Sequence, residues 1–228
     1  MFERFQRRSY ELERLDTGDY TATEYARWQQ EMRLVHRIFG ENRALKRTLF
    51  RDIEETGSKD FSALDVGAGS GGLILELREW SAKHSPFLVG AELEAAAART
   101  IRANGLNAIR CDALRMPFAD NSFDYVFCSL FLHHLGDEAA VELIAEMARV
   151  AAKRIYVIDL NRHPIAYYLY KLFGRIFLQR FTLEDGSLSI LRSFNPVELE
   201  GLARKAGLKK IAVEHSKVNR LILSGKSG

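Results

Sequence analysis

Residues 64–72 read Leu-Asp-Val-Gly-Ala-Gly-Ser-Gly-Gly, directly after one apolar run and directly before another. A strand-like run, a glycine-rich turn and a helical pattern in that order constrain this chain more than any other feature. They predict the strand–turn–helix unit of a doubly wound α/β fold, where ligands sit at the carboxyl ends of the strands. Glycines at that turn remove Cβ atoms and let the backbone approach a nucleoside-bearing ligand closely. A tight turn that binds nothing needs fewer glycines than this one has.

The rest of the chain agrees with that reading. Strands are predicted at Phe61–Val66, Phe87–Leu93, Asn107–Cys111, Phe123–Ser129 and Arg154–Leu160. Helical patterns cover Leu73–Lys83, Glu94–Asn104 and Asp137–Ala152 between them. Apolar strands alternating with amphipathic helices imply a parallel sheet covered on both faces. Two final strands, Lys209–Glu214 and Arg220–Leu223, read as antiparallel neighbours. Together these predict a Rossmann-like, seven-stranded, mostly parallel sheet. Asn195, Pro196 and Gly207 suit the N-cap, N1 and C′ positions of one more helix.

Residues 1–56 read as a helical N-terminal extension, and 57–228 as the main domain. The extension holds a charged amphipathic segment at Tyr10–Leu15, a helix capped by Thr21 or Thr23 and ended by Gly40, and a short helix at Ala44–Ile53. Tyr25, Trp28, Met32, Val35 and Ile38 make one helical stripe, whose default reading is core packing. An aromatic insertion at about 163–194 carries Tyr167, Tyr168, Tyr170, Phe173, Phe177 and Phe181, with Gly186 expected to make a turn. This insertion is read first as an apolar lid over an acceptor pocket, second as core, and third as a peripheral membrane contact through Lys171, Arg175 and Arg180.

With 47% hydrophobic residues, 16 Gly and 4 Pro in 228 residues, collagen, coiled coil and wholesale disorder are excluded. No apolar run approaches the roughly 20 residues of a membrane span. The N-terminus lacks the apolar region of a secretory signal. Cys111 and Cys128 fit neither a metal nor a disulfide spacing and read as small core residues, so no metal is expected. The expected location is the cytoplasm. Residues 1–150 hold 19 Lys+Arg against 24 Asp+Glu, a net of −5, whereas residues 151–228 hold 14 against 6, a net of +8. The basic residues are scattered rather than gathered in an arm, which argues against a nucleic-acid partner.

Charge also distinguishes the ligands this turn can take. Gly67, Gly69 and Gly72 satisfy a dinucleotide pattern, and Gly67, Gly69 and Gly71 satisfy G-x-G-x-G equally well. Asp65 discriminates between them. A carboxylate beside the cradle opposes a pyrophosphate and welcomes an ammonium group. S-adenosylmethionine carries an α-ammonium and a sulfonium and has no phosphate, so the turn, including Ala68, favours it. Glu92, with Leu93 after it, ends the second strand where both ribose hydroxyls can be accepted. Asp112, with Ala113, follows the third strand and reads either as the adenine-amino acceptor or as a loop Asp capping its turn. Ser129 ends the fourth strand on the same edge.

These residues resemble the class I S-adenosylmethionine-dependent methyltransferases across about residues 61–160. LDVGAGSGG looks like the family's first motif, and GAELE like the second, with Glu92 as the ribose ligand. CDA looks like the adenine-side motif. PFADNSFDYVFCSLFLHHL is similar to the small-molecule branch near the ubiquinone and menaquinone methyltransferases. The flanks ERLDTGDYTATEYARWQQEMRLVHRIFG, IDLNRHPIAYYLYKLF and LSILRSF are similar to bacterial methyltransferases associated with type III polyketide synthases. The Asn/Asp-Pro-Pro-Tyr/Phe motif of amino-methylating nucleic-acid enzymes is absent, as is the double-Glu loop of protein arginine methyltransferases. The resemblance therefore implies methylation of a small, hydrophobic or phenolic acceptor at oxygen or carbon.

Deprotonating a phenol calls for a base that titrates near neutrality. His133, His134 and His163 are the candidates: His134 and His163 are the expected catalytic residues, with substrate contact or no role as alternatives, and the alternative for His133 is core or helix-end packing. Two other functions fit the same fold: a nicotinamide-dependent oxidoreductase, and a catalytically inert cofactor-binding scaffold.

Overall fold

The computed structural model describes residues 3–39, 44–57, 59–216 and 219–226, with the side chains at 33, 34 and 36–39 outside the description. The strands are β1 (Ser62–Val66), β2 (Phe87–Glu92), β3 (Asn107–Arg110), β4 (Phe123–Ser129), β5 (Ala151–Leu160), β6 (Lys209–Ser216) and β7 (Arg220–Lys226). The helices are α1 (Arg14–Thr17), α2 (Ala22–Phe39), α3 (Arg51–Thr56), α4 (Gly72–Trp80), α5 (Ala95–Ala103), α6 (Asp137–Val150), α7 (Pro164–Phe177), α8 (Arg180–Arg192) and α9 (Pro196–Lys205). One sheet runs β3-β2-β1-β4-β5-β7-β6. Its first five strands are mutually parallel, β7 is antiparallel to β5, and β6 is antiparallel to β7. This is the expected Rossmann-like α/β fold.

Alternation along the strands divides the core in two. Val126 and Cys128 of β4, with Ile155 and Val157 of β5, pack against α6 and α9. Tyr125, Phe127, Tyr156 and Ile158 point the other way, toward α3, α4 and α5. Residues 44–56 belong to this second core, across the boundary expected at 56/57. Leu45, Leu49 and Ile53 are fully buried there, and Phe50 stacks on Trp80 at 4.2 Å. Asp52 accepts the Tyr156 hydroxyl proton and pairs with Arg154 at 3.0 Å.

Several boundaries differ from the expected ones. α4 ends at Trp80, because Ser81 turns its hydroxyl back onto the Leu77 carbonyl at 2.7 Å. β5 begins at Ala151, following α6 without a loop. Cys111 lies just past β3 and is half-buried rather than a core residue. Ahead of α2 the described residues hold a 3₁₀ turn at Glu3–Phe5 and the single helical turn Arg14–Thr17, so the expected Tyr10–Leu15 helix is confined to its end. Thr21 caps α2: its Oγ1 accepts from the Glu24 amide at 3.2 Å, and Glu24 accepts from the Thr21 amide at 2.8 Å. The Gly40 stop lies outside the described residues.

The insertion after β5 folds as a hairpin of α7 and α8. Gly186 makes no turn there, since it sits inside α8. A Cβ at Gly186 would lie 2.1 Å from Tyr170 Oη, and that hydroxyl donates to the Thr182 carbonyl at 2.8 Å. Its glycine is set by close approach of a ring from α7, a long-range demand with no local signature. Alanine in a helix interior is ordinarily favoured over glycine by about 0.5–1 kcal/mol. Gly186→Ala is instead expected to cost about 1–3 kcal/mol in urea unfolding through overpacking, and to cost less in a Tyr170→Ala background.

Candidate functional site

The sheet grows outward in one direction from β1 through β2 to β3, and in the other from β1 through β4. At that reversal a cavity of about 1160 Å³ opens over the strand ends, roofed by α2, α7 and α8. Its floor is the β1–α4 turn, with Asp65, Gly67, Ala68 and Gly69, together with Ser129 and Leu130 after β4.

Two glycines of the turn have separate reasons to be glycine. Both hold left-handed φ, +69° at Gly67 and +55° at Gly69. A Cβ at Gly67 would also meet the Phe131 ring at 2.9 Å, so here the close neighbour is protein. A Cβ at Gly69 would meet nothing within 4 Å, and the Gly69 amide donates to Glu92 Oε2 at 2.8 Å. The other Glu92 oxygen accepts from the Leu93 amide at 2.8 Å. Glu92 thus fastens the glycine turn to the end of β2. Gly71 is the N-cap of α4. Asp112 accepts from the Leu114 amide at 2.9 Å, as an Asp that caps its own loop does. Gly71, Glu92, Leu93, Asp112 and Ala113 lie along the sheet's crest outside the cavity lining.

A polar cluster occupies the opposite part of the floor. His133 is buried, and its Nδ1 lies 2.6 Å from Asp159 Oδ1 at the end of β5. The same carboxylate accepts the backbone amides of His133 at 3.0 Å and Leu160 at 2.7 Å. Burial alone would raise the Asp159 carboxyl. The neighbouring His133 and these hydrogen bonds outweigh it and hold the carboxyl below its ordinary value. With Nδ1 committed to Asp159, Nε2 is the His133 nitrogen left to take a proton, on a ring that lines the cavity. Cys128, fully buried beneath, has its thiol pushed up by burial and by Asp159 and Asp65 nearby, as befits an inert core residue.

His134 stacks beside His133 with ring centroids 4.2 Å apart, and its Nδ1 is 3.0 Å from Asp16 Oδ1. His163 is the exposed N-cap residue of α7. Both line the cavity. Sequence reasoning offered His133 as a candidate base with packing as the alternative, and did not pair it with Asp159. The signal was available in the topology: β4 and β5 are parallel neighbours, so a histidine just past one meets a carboxylate at the end of the other.

Glu13 and Ser189, also absent from the expectations, complete the cluster. Ser189 Oγ donates to Glu13 at 2.9 Å, and Arg192 lies 3.6 Å from Glu13 while also pairing with Asp16. Burial pushes the Glu13 carboxyl up to about 7. Burial would raise Asp16 too, but hydrogen bonds from His134 and Arg192 take it well below the usual carboxylate range. Glu13, His133 and His134 bring three donor atoms within 4.8 Å of one another. Arg192 already supplies positive charge there, and both Nδ1 atoms lie at carboxylates, so the group forms a network of hydrogen bonds and ion pairs.

The remaining wall is apolar. Trp28, Met32 and Val35 of α2 face Leu169, Phe173 and Phe177 of α7 across the cavity. The α2 stripe therefore lines a cavity rather than packing in the core, while the Ile38 side chain lies outside the described residues. Leu130 adopts φ +50°, a conformation unusual for a branched residue and concentrated at functional sites.

Residues 64–164 match the family model described as "Methyltransferase domain". Demethylmenaquinone methyltransferase of Roseiflexus sp. (strain RS-1) is 34% identical over 111 residues, 45% of either chain. That of Bacillus licheniformis is 29% identical over 171 residues, 67% of this chain and 72% of the relative. The chain thus spans about half the length of the first of these relatives and nearly three quarters of the second. These similarities support a class I S-adenosylmethionine-dependent methyltransferase. Solved structures agree on the fold. A Pyrococcus horikoshii protein superposes with TM-score 0.60 at 18% identity, over 83% of this chain and 92% of the other. An S-adenosylmethionine-dependent methyltransferase from Aquifex aeolicus gives 0.55 at 17%, over 77% and 87%.

The cofactor of this methyltransferase is S-adenosylmethionine, and the cavity floor fits it. Asp65 is a buried carboxylate beside the cradle, the space over Gly69 is open, and Ser129 Oγ is buried without a hydrogen-bond partner among the described residues.

The Glu13 carboxyl gives a pH test of this cluster. Its folded pKa, about 7, lies above the ordinary 4.5. The folded state then holds a proton that the unfolded state has lost between those values. Stability from this group is complete below about 4.5 and falls as pH rises through about 7. In chemical denaturation at pH 5 and pH 8, Glu13→Gln should gain on the parent by up to ~3 kcal/mol at the higher pH.

Proposed function

We propose that this methyltransferase transfers the cofactor's methyl group to the oxygen of a small, apolar, phenol-like acceptor held in the cavity, with His133 as general base. One observation carries this reading: a buried His–Asp pair opens onto a cavity whose other wall is aromatic and aliphatic. The curated demethylmenaquinone methyltransferases similar to the chain also favour a small-molecule acceptor. When bound, the cofactor supplies a methyl group on an already activated sulfonium.

Everything else falls to the chain. Asp65, Gly67, Ala68, Gly69, Gly71, Glu92, Leu93, Asp112, Ala113 and Ser129 are the proposed cofactor residues. In this reading Glu92 and Asp112 hold hydroxyl and amino groups, and Asp65 neutralises a cationic one. Trp28, Met32, Leu169 and Phe173 hold the acceptor's apolar body and exclude water. Exclusion matters because alignment in a dry pocket supplies much of the rate in a direct displacement. His133 removes the acceptor's proton at Nε2, and Asp159 fixes the tautomer and stabilises the imidazolium that forms. An acidic carbon acceptor would use the same base. In this reading His134, half-buried beside His133, and His163, at the start of α7, contact the acceptor. A dinucleotide, the other ligand this fold takes, is opposed by the Asp65 charge.

The test uses the purified protein with a phenolic acceptor. His133→Asn and Asp159→Asn should lower kcat by about 10²–10⁴-fold while leaving S-adenosylhomocysteine affinity within a few-fold by calorimetry. Full turnover in His133→Asn would overturn the base assignment, and the same comparison for His134→Ala and His163→Ala ranks the three. Separately, Glu92→Ala should weaken S-adenosylhomocysteine binding by loss of charge-assisted hydrogen bonds, roughly 1.5–3 kcal/mol each. Unchanged affinity would remove Glu92 from the cofactor site.

A further inference from the structure

α7 presents its apolar side to solvent. Ile165, Tyr168, Leu169, Leu172, Phe173, Ile176 and Phe177 recur at spacings of three and four, and each is between 40% and 69% exposed. At 100° per residue they form one continuous stripe. Part of that stripe is the cavity wall: Ile165, Leu169, Phe173 and Phe177 line it. Tyr168, Leu172 and Ile176 continue the same surface outward, beyond the cavity lining. Apolar surface thus runs unbroken from the cavity over its rim to the outside of the molecule. An exposed patch of this kind on one helix marks an interaction site rather than scattered surface residues.

Charge identifies what the patch meets. Lys171 and Arg175 are exposed, flank one edge of the stripe, and enter no ion pair among the described residues. Arg180, at the start of α8, is exposed too and pairs with Glu184 in its own helix. From Asn161 to Leu183 the sequence contains no Asp or Glu. An apolar stripe edged by uncompensated cations and free of acids is the pattern of a helix lying in an anionic lipid interface. At 14 residues α7 is too short to cross a bilayer, which takes roughly 20. Among the described residues no helix is long and apolar enough to span one.

We propose that α7 seats this methyltransferase on an anionic membrane surface, with the cavity rim facing the lipid so that an apolar acceptor enters from the bilayer. Tyr168, Leu172 and Ile176 enter the headgroup–acyl boundary, and Lys171 and Arg175 meet anionic headgroups. Leu169, Phe173 and Phe177 then carry the apolar path inward to His133. Docking would bury the stripe that otherwise faces water.

The experiment is co-sedimentation of the full chain with vesicles of phosphatidylcholine alone or with about one third phosphatidylglycerol. Binding should require the anionic lipid and weaken as salt is raised, since the screening length shortens to about 3 Å at 1 M. Lys171→Gln with Arg175→Gln should weaken partitioning roughly fivefold per charge. Leu172→Gln with Ile176→Gln should weaken it tenfold or more, with S-adenosylhomocysteine affinity unchanged, because neither residue lines the cavity. Three results would overturn the proposal: no binding to anionic vesicles, binding that both double variants retain, or a dimer without vesicle binding that Leu172→Gln with Ile176→Gln converts to monomer. The last would assign the stripe to contact between copies of the chain. Partitioning requires neither acceptor nor turnover, so it stands or fails apart from the reaction proposed above.

Discussion

A parallel sheet aligns all its strand ends on one edge, and only where its order of growth reverses do the connections part and leave room. Between β1 and β4 that reversal creates the cavity, and the rest of the molecule accommodates it. The glycine turn after β1, the strained Leu130 after β4 and Asp159 at the end of β5 all sit on this edge because parallel pairing puts them there. These three positions are set by the strands they follow or end rather than by a local helix or hairpin of their own. The floor is a property of strand order, and so it is rigid: β1, β4 and β5 are central strands, hydrogen-bonded on both sides.

The roof is built on a different principle. It is held by buried polar groups from distant parts of the chain. Asp185 in α8 accepts the backbone amides of Arg14 and Leu15 at 3.0 and 2.9 Å, and Glu31 in α2 accepts the Gln179 amide at 3.0 Å. Arg8 donates to the Arg192 carbonyl at 2.6 Å and to the carbonyls of His133 and Leu135, with its guanidinium 3.7 Å over the Phe194 ring. Such bonds are strong when complete and costly when one partner is lost. They leave the apolar faces of α2 and α7 available to line the cavity, since docking of the roof does not consume them.

The fold was legible because its signals are local. Apolar period, glycine punctuation and caps such as Asn195 lie within a few residues of the element they specify. The candidate cofactor edge is proposed from signals of the same local kind, in that Asp65 to Gly72 is one contiguous turn and Glu92 and Asp112 lie at strand ends. What stayed hidden depends on contacts across the chain. His133 could not be separated from a packing histidine because its partner Asp159 lies 26 residues on, at the end of β5. Gly186 looked like a turn because nothing nearby announces the Tyr170 ring. The Trp28–Met32–Val35 stripe was read as core because periodicity reports which face is apolar, not whether protein or ligand fills the space beside it.

Arg8 and Arg192 are joined across 184 positions. The segment around Arg8 thus has its docking site among residues synthesised well after it. The sheet from β1 to β5 can pair during elongation, while the segment around Arg8 must wait, tethered and undocked, until α8 emerges. Binding-competent protein therefore arises in a late step of biogenesis, and a nascent or truncated chain ending before residue 192 would present the strand ends without the cover that keeps water from them.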